Sequence, residues 1–175
     1  LFLGLERLRP WRREQPAFRR DFPLDLFYLV FNGHFLGLGI AQLTVHSAGW
    51  LADALGQAGL REAVYRNAAV DWPIAAQVAI AFVGLDFIQW SVHNLLHRVP
   101  FLWTFHKVHH AIHTMDFIGN FRFHWFEIVV YKTAQWLPLA LLGASPQATF
   151  WVFVFTTFWG DLNHANLNVG LGPLG

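Results

Sequence analysis

The 175 residues are 55% hydrophobic and only 13% charged, with a net charge of +1. An ordinary soluble domain carries roughly 25% charged residues, so a membrane class is favoured, and the balanced charge argues against nucleic acid, which needs a concentrated basic face. No cysteine is present, which excludes disulfide, zinc-thiolate and iron–sulfur frameworks.

Residues 1–22 are polar and Arg-rich (Arg7, Arg9, Arg12, Arg13, Arg19, Arg20). They lack an isolated apolar core followed by a small-residue cleavage site, so a cleavable signal peptide is not expected. The first apolar stretch, 24–45, is long enough for a bilayer, which takes about 20 helical residues. Gly33, Gly37 and Gly39 would let a neighbouring helix approach closely. The mixed segment 46–69 is too polar to span and reads as an amphipathic surface piece; residues 24–69 thus form a first span and an outside loop.

Asp71-Trp72-Pro73 opens the second apolar stretch, with Asp71 as N-cap and Pro73 in the first turn. This stretch runs past Trp90 through His93 and His97 to Val99-Pro100. It exceeds one crossing, so its last two turns should project beyond the apolar layer and carry the histidines with them. Residues 101–125 are aromatic and His-rich. A third stretch, 126–142, is short and kinked or thinned by Pro138. Ser145-Pro146 caps a fourth, which ends near Gly160 ahead of Asp161 and His164.

The expected fold is all-α: an integral membrane domain of about four transmembrane helices in two hairpins. The N-terminal arginines place the first residues inside. Pairs of crossings then return His93 and His164 to that face, giving a cytoplasmic, histidine-rich metal-binding cap. Starting at Leu1 and ending with the turn-like segment 171–175, the chain reads as a single-domain fragment cut at both ends.

Seven of the ten histidines fall between His93 and His124. Neutral imidazole is the commonest transition-metal ligand, and residues three or four apart share a helix face. His93 and His97 satisfy that spacing, as do His106, His109 and His110 on a second helical segment. Five imidazoles are more than one iron with open positions can use, so two metals are the economical reading; without thiolates the candidates are iron, copper or zinc. Asp86, Gln89, His93 and His97 make a polar stripe. A carboxylate inside an apolar helix needs a partner, and Asp86 is placed to orient a ligand through its second ring nitrogen. Asp161 stands one turn before His164, which returns to the same face. Asn168 follows four residues later as a weaker donor.

His113 and His124 are open between metal, supporting and substrate-facing roles. His34 and His46 have no neighbour at ligand spacing and read as packed residues. The aromatics Phe117, Phe121, Phe123, Trp125 and Phe126 either line a slot for a lipid or anchor the chain at the membrane interface. A non-catalytic metal-binding protein or a haem electron-transfer protein is the alternative to an enzyme.

Four stretches taken together resemble the fatty acid hydroxylase / sterol desaturase superfamily of integral-membrane di-iron enzymes. They are Asp86-Phe87-Ile88-Gln89-Trp90-Ser91-Val92-His93-Asn94-Leu95-Leu96-His97-Arg98, Phe105-His106-Lys107-Val108-His109-His110, Arg122-Phe123-His124-Trp125-Phe126-Glu127, and Asn163-His164-Ala165-Asn166. The resemblance covers 86–175, within a histidine-box region at 70–175. It implies His93, His97, His106, His109, His110 and His164 as metal ligands, with His124 and Glu127 in a structural or supporting motif. It implies two iron ions, dioxygen as co-substrate, and hydroxylation or desaturation of a lipid such as a fatty acyl chain or a sterol-like molecule. A last H-x2-H-H box of the family is absent from the sequence, so the implied metal shell is incomplete. Electrons would come from a small carrier protein or reductase, since no flavin or nicotinamide fingerprint is present. Arg98, Lys107 and the N-terminal arginines would dock it.

Overall fold

The computed structural model of the chain describes residues 1–60 and 69–170, apart from the side chains of 41, 44, 45, 48, 136–138 and 140–142. Part of the mixed segment and the tail 171–175 lie outside the described residues. The architecture is helical: α1 (Phe2–Leu8), α2 (Phe22–Val30), a π-helical stretch (Phe31–Leu36), α3 (Gly37–Gln57), α4 (Ile74–Arg98), α5 (Pro100–His110), a 3-10 turn (Gly119–Phe121), α6 (Trp125–Leu142) and α7 (Pro146–His164). Among the described residues the only extended pairing is one isolated bridge, Pro10 to Leu167.

The first span does not give way to a surface piece after residue 45. Helix continues from Phe22 to Gln57, because the polar side chains of the mixed segment are satisfied along the helix itself. The ring Nδ1 of His46 lies 2.7 Å from the Gln42 carbonyl, and the Ser47 hydroxyl donates to the Leu43 carbonyl at 2.7 Å. The helix stops where Gly59 turns left-handed, at φ 69°. Leu60 N then donates to Leu55 O and Gly59 N to Gly56 O, the paired bonds of a Schellman ending.

Asp71 does not cap α4, which begins at Ile74 behind an extended Pro73. The buried Gln77 organises this entry instead. Its amide donates to the Trp72 carbonyl at 2.7 Å, while its Oε1 accepts from the Ser145 N–H at 2.8 Å. One side chain therefore ties the start of α4 to the start of α7. Ser145 caps α7 as its sequence predicts, accepting from Ala148 N, and α7 stays helical to His164 rather than ending at Gly160.

α4 is the central helix, packed against α5, α6 and α7. At one end Ala81 and Leu85 meet Leu139 of α6 and Val152 of α7. At the other, Val92 and Leu96 meet Tyr131 of α6 and Leu102 of α5. Two stretches, Phe22–Ile40 and Ile74–Arg98, are long and apolar enough to cross a membrane, and only 17% of the apolar 18-residue window in each is buried. A soluble core helix would hide such a surface; here Phe27, Phe31, Phe35, Val83, Phe87 and Trp90 are exposed, as lipid contact requires.

The basic N-terminal segment is built into the fold. Buried Arg19 makes a two-pronged contact with Asp116, at 2.7 Å for each bond, and also pairs with Asp25. Asp25, fully buried at the start of the first span, also holds Arg122, which reaches Asp21 at 3.4 Å. Burial alone would lower the pKa of both guanidiniums, but the carboxylates around them raise it. Glu6 Oε1 accepts from Phe117 N at 2.8 Å and Asn166 N at 2.7 Å. The Asn166 side chain in turn pairs with the Arg12 backbone.

Candidate metal centre

His93 and His97 leave the last two turns of α4, and His106 and His110 leave α5; Val99-Pro100 makes the bend between the helices. An extended Val99 ends α4, and Pro100 sits in the first turn of α5, where its missing N–H costs nothing. The four rings converge, with one ligand nitrogen from each lying within 4.8 Å of the others.

The Nε2 of His97 is 3.1 Å from that of His93, 3.2 Å from that of His106 and 3.1 Å from that of His110. The Nε2 atoms of His106 and His110 are 3.0 Å apart. A single ring nitrogen carries either one proton or one lone pair, so His97 Nε2 can serve only one of its three contacts as a hydrogen bond. A shared cation removes the conflict. Nitrogens about 2.0–2.1 Å from one metal ion stand about 2.9–3.4 Å apart when they are neighbours in its shell, and the observed spacings fall in that range.

The groups behind the rings support the same reading. Glu127 of α6 is fully buried, and its Oε1 accepts from His106 Nδ1 at 2.7 Å. Since a carboxylate only accepts, the His106 proton sits on Nδ1 and the Nε2 lone pair faces the cluster. The second oxygen of Glu127 is buried without a hydrogen-bond donor. His93 Nδ1 lies 3.2 Å from the Tyr131 hydroxyl. His106 is buried, whereas His97 and His110 are exposed, so the cluster opens on one side. Trp103 flanks that side, its ring 5.3 Å from His97 and 5.5 Å from His110. Burial and the neighbouring rings of His106 and His97 lower the His110 pKa, which favours the neutral form that can ligate.

His109 departs from the shared face expected for it. His106 and His110 are about 40° apart around the helix, but His109 is about 100° from His110. Its ring turns away, stacks on Phe123 at 4.5 Å and meets His164 edge-on at 5.5 Å. Its Nδ1 is buried without a hydrogen-bond partner. Burial, His164 and the other rings depress its pKa to about 3. His164 Nδ1 contacts the Gly160 carbonyl at 2.8 Å, which as an acceptor takes the proton and leaves Nε2 free to ligate. The six histidines thus divide into a group of four and an adjoining pair.

Several candidates lie elsewhere. Asp86 is exposed on α4 and bonds to no histidine; Glu127 does what was expected of it. Asp161 accepts from Asn120 at 3.2 Å rather than from His164. Asn168 is exposed, and its backbone N–H donates to Arg9 O. His113 is exposed and is not among the four grouped rings. His124 is the N-cap of α6, accepting from Phe126 N at 3.2 Å. The Arg122, His124 and Glu127 motif therefore divides its labour among an ion pair, a helix cap and a ring contact. Phe117 stacks on Phe2 of α1 and meets Phe121, while Trp125 is exposed. Sequence reasoning passed over Tyr131 and Trp103; the signal for Tyr131 was its place one helical turn after Glu127.

A family model described as fatty acid hydroxylase matches residues 78–175. The ornithine lipid hydroxylase OlsE of Rhizobium tropici is 35% identical over 103 residues, covering 59% of this chain and 31% of that protein. The alkylglycerol monooxygenase of Danio rerio is 30% identical over 107 residues, covering 59% of this chain and 23% of that protein. The chain thus spans about a third or less of the length of these relatives. No solved structure matches it. The family match takes in more than half of the sequence and every histidine of the cluster, and the chain belongs to the fatty acid hydroxylase family, within the superfamily that its histidine boxes resemble.

Proposed function

We propose that this chain is the histidine-box part of a membrane-bound di-iron oxygenase that hydroxylates, or desaturates, a C–H bond of a lipid. The observation that carries this reading is the convergence of four Nε2 atoms in front of a buried carboxylate. Both relatives are named as enzymes that oxidise lipids, which supports a lipid substrate. In this reading His93, His97, His106 and His110 hold one ion. His109 and His164 belong to a second, completed by the further box that the family resemblance implies. Residues 70–175 form the histidine-box region. The chain crosses the bilayer about four times, with α6 and α7 as the second hairpin and the metal cap on the cytoplasmic side.

Bound iron would supply the power to activate dioxygen, which the side chains here lack. The protein's contribution is placement. Glu127 and Tyr131 stand behind His106 and His93, and the apolar outer face of α4 leads a lipid chain toward the cluster. The open side at His97 and His110 admits substrate. Exposed Arg98 and Lys107, each next in sequence to a ring of the cluster, would receive a small acidic electron carrier.

The test is metal analysis with Mössbauer spectroscopy on the detergent-purified chain loaded with iron-57. Bound, nitrogen-coordinated iron that is lost in His106→Ala supports the oxygenase. Zinc, haem or no stoichiometric metal would overturn it.

A further inference from the structure

α6 carries Glu127, Tyr131 and Gln135 at four-residue intervals, which places them on one helix face. Each meets a polar group of the α4–α5 unit: Glu127 meets His106 at 2.7 Å, Tyr131 meets His93 at 3.2 Å, and Gln135 donates to Gln89 at 2.6 Å. The first two rungs touch rings whose opposite nitrogens face the cluster. The third is about 6 Å further along the helix and touches no histidine. Tyr131 is 8% exposed and packs with Val92 and Leu96 of α4, so its hydroxyl is delivered to His93 by a fixed ring.

We propose that Tyr131 is a positioning residue for the metal centre, acting through His93 as Glu127 acts through His106, so that α6 sets the aim of one ligand from each of α4 and α5. The proposal rests on the metal-binding reading of the cluster. Each helix has one ligand, His93 or His106, that meets a polar group of α6, and leaves the other, His97 or His110, exposed with only ring neighbours. Helix α6 thus fixes the closed side of the site and leaves the open side adaptable. The hydroxyl of Tyr131 is needed for this; its ring is needed only for packing.

The experiment is titration of the full chain in detergent with cobalt(II) alone, read by its visible d–d bands and by competition with a chelator. Removing a group that orients a ligand typically costs about 10- to 100-fold in metal affinity. Tyr131→Phe keeps the ring, and is expected to weaken cobalt binding by that factor and alter the band pattern while thermal stability holds. Glu127→Gln keeps an acceptor for the His106 N–H and is expected to lose less than Glu127→Leu. Gln135→Leu breaks the rung that touches no ligand and is expected to leave cobalt affinity unchanged. Wild-type affinity in Tyr131→Phe, or an equal loss in Gln135→Leu, would overturn the positioning role and leave the metal reading standing. Failure of the wild-type chain to take up cobalt would overturn both.

Discussion

Glu127 Oε1 lies 2.7 Å from His106 Nδ1, joining groups 21 residues apart in the chain, and neither side chain is more than 1% exposed. The contact fixes the ring's tautomer and gives the carboxylate its one hydrogen-bond donor. It also makes the cluster unequal, because His106 has a buried partner while His97 stands at the open side with only other rings around it. Loss of metal and loss of stability therefore separate.

His106→Ala and His97→Ala should both impair metal binding, yet differ in the metal-free protein. His106→Ala strands a buried carboxylate, a loss of about 1–3 kcal/mol. His97→Ala removes an exposed ring and should stay within about 0.5 kcal/mol of wild type. Thermal unfolding in detergent with chelator present compares them, and equal melting temperatures would mean that the Glu127 contact contributes nothing to the fold.

Asp25 stands between Arg19 and Arg122, both buried. Asp25→Ala leaves two guanidiniums without their shared carboxylate, and breaking a buried pair from one side costs about 3–5 kcal/mol. The expected result is a large fall in melting temperature, with the segment before Phe22 becoming sensitive to protease. Arg20→Ala, at an exposed neighbour, should behave as wild type in the same assay.

Gly119 tests the same network sterically. A Cβ there would sit 2.8 Å from Arg19 Nη2 and 3.4 Å from Asp116 Oδ1. Arg19 is clamped by two carboxylates and cannot swing aside, so Gly119→Ala should cost about 1–3 kcal/mol. Gly84→Ala on α4, where nothing lies within 4 Å, should leave the melting temperature unchanged or slightly higher. If the two substitutions behave alike, the clamp is looser than the geometry implies.

What the sequence revealed and what it hid follow from range. The His93–His97 and His106–His110 pairs were readable because both members lie on one helix and the spacing alone sets their face. The place of His109 required knowing which way α5 turns toward its neighbours. The stripe through Asp86 suggests a ligand-orienting carboxylate without saying which residue a second helix will meet, and the motif that holds Glu127 does not say which ring it faces. The Arg19–Asp116 and Arg122–Asp25 pairs each join residues 97 apart, and no local pattern encodes them. The N-terminal arginines, read as one topological signal, divide into buried Arg19 and exposed Arg7, Arg9, Arg12, Arg13 and Arg20 for the same reason.

His109 gives the metal-free protein a pH dependence of known sign. Its pKa falls from 6.5 to about 3 in the fold, chiefly through burial and then through the nearby His164. Between those values the unfolded chain binds a proton that the folded chain refuses, so stability rises with pH across that window. Above pH 6.5 this contribution is flat, and below it about 1 kcal/mol is lost per pH unit. His109→Phe preserves a ring against Phe123 but cannot titrate. Unfolding measured from pH 7 to pH 4 with chelator present should show a shallower slope in the variant; an unchanged slope would assign the effect to other groups.

Arg98 and Lys107, each next in sequence to a ring of the cluster, are exposed, as are Arg9, Arg12, Arg13 and Arg20 of the N-terminal segment, so an acidic electron carrier would find unmatched positive charge on them. Arg19 takes no part, because its charge is already matched inside the fold. Steering by surface charge accelerates encounter by about 10- to 1000-fold at low salt and fades as the screening length shrinks, from about 10 Å at 0.1 M to about 3 Å at 1 M. With the iron-loaded protein and a reduced acidic carrier, the second-order rate of electron transfer should fall steeply over that range. The double variant Arg98→Glu, Lys107→Glu should be slow at low salt and match wild type at 1 M, because the substitutions change the approach and not the cluster. A wild-type rate indifferent to salt would exclude these charges as the docking face.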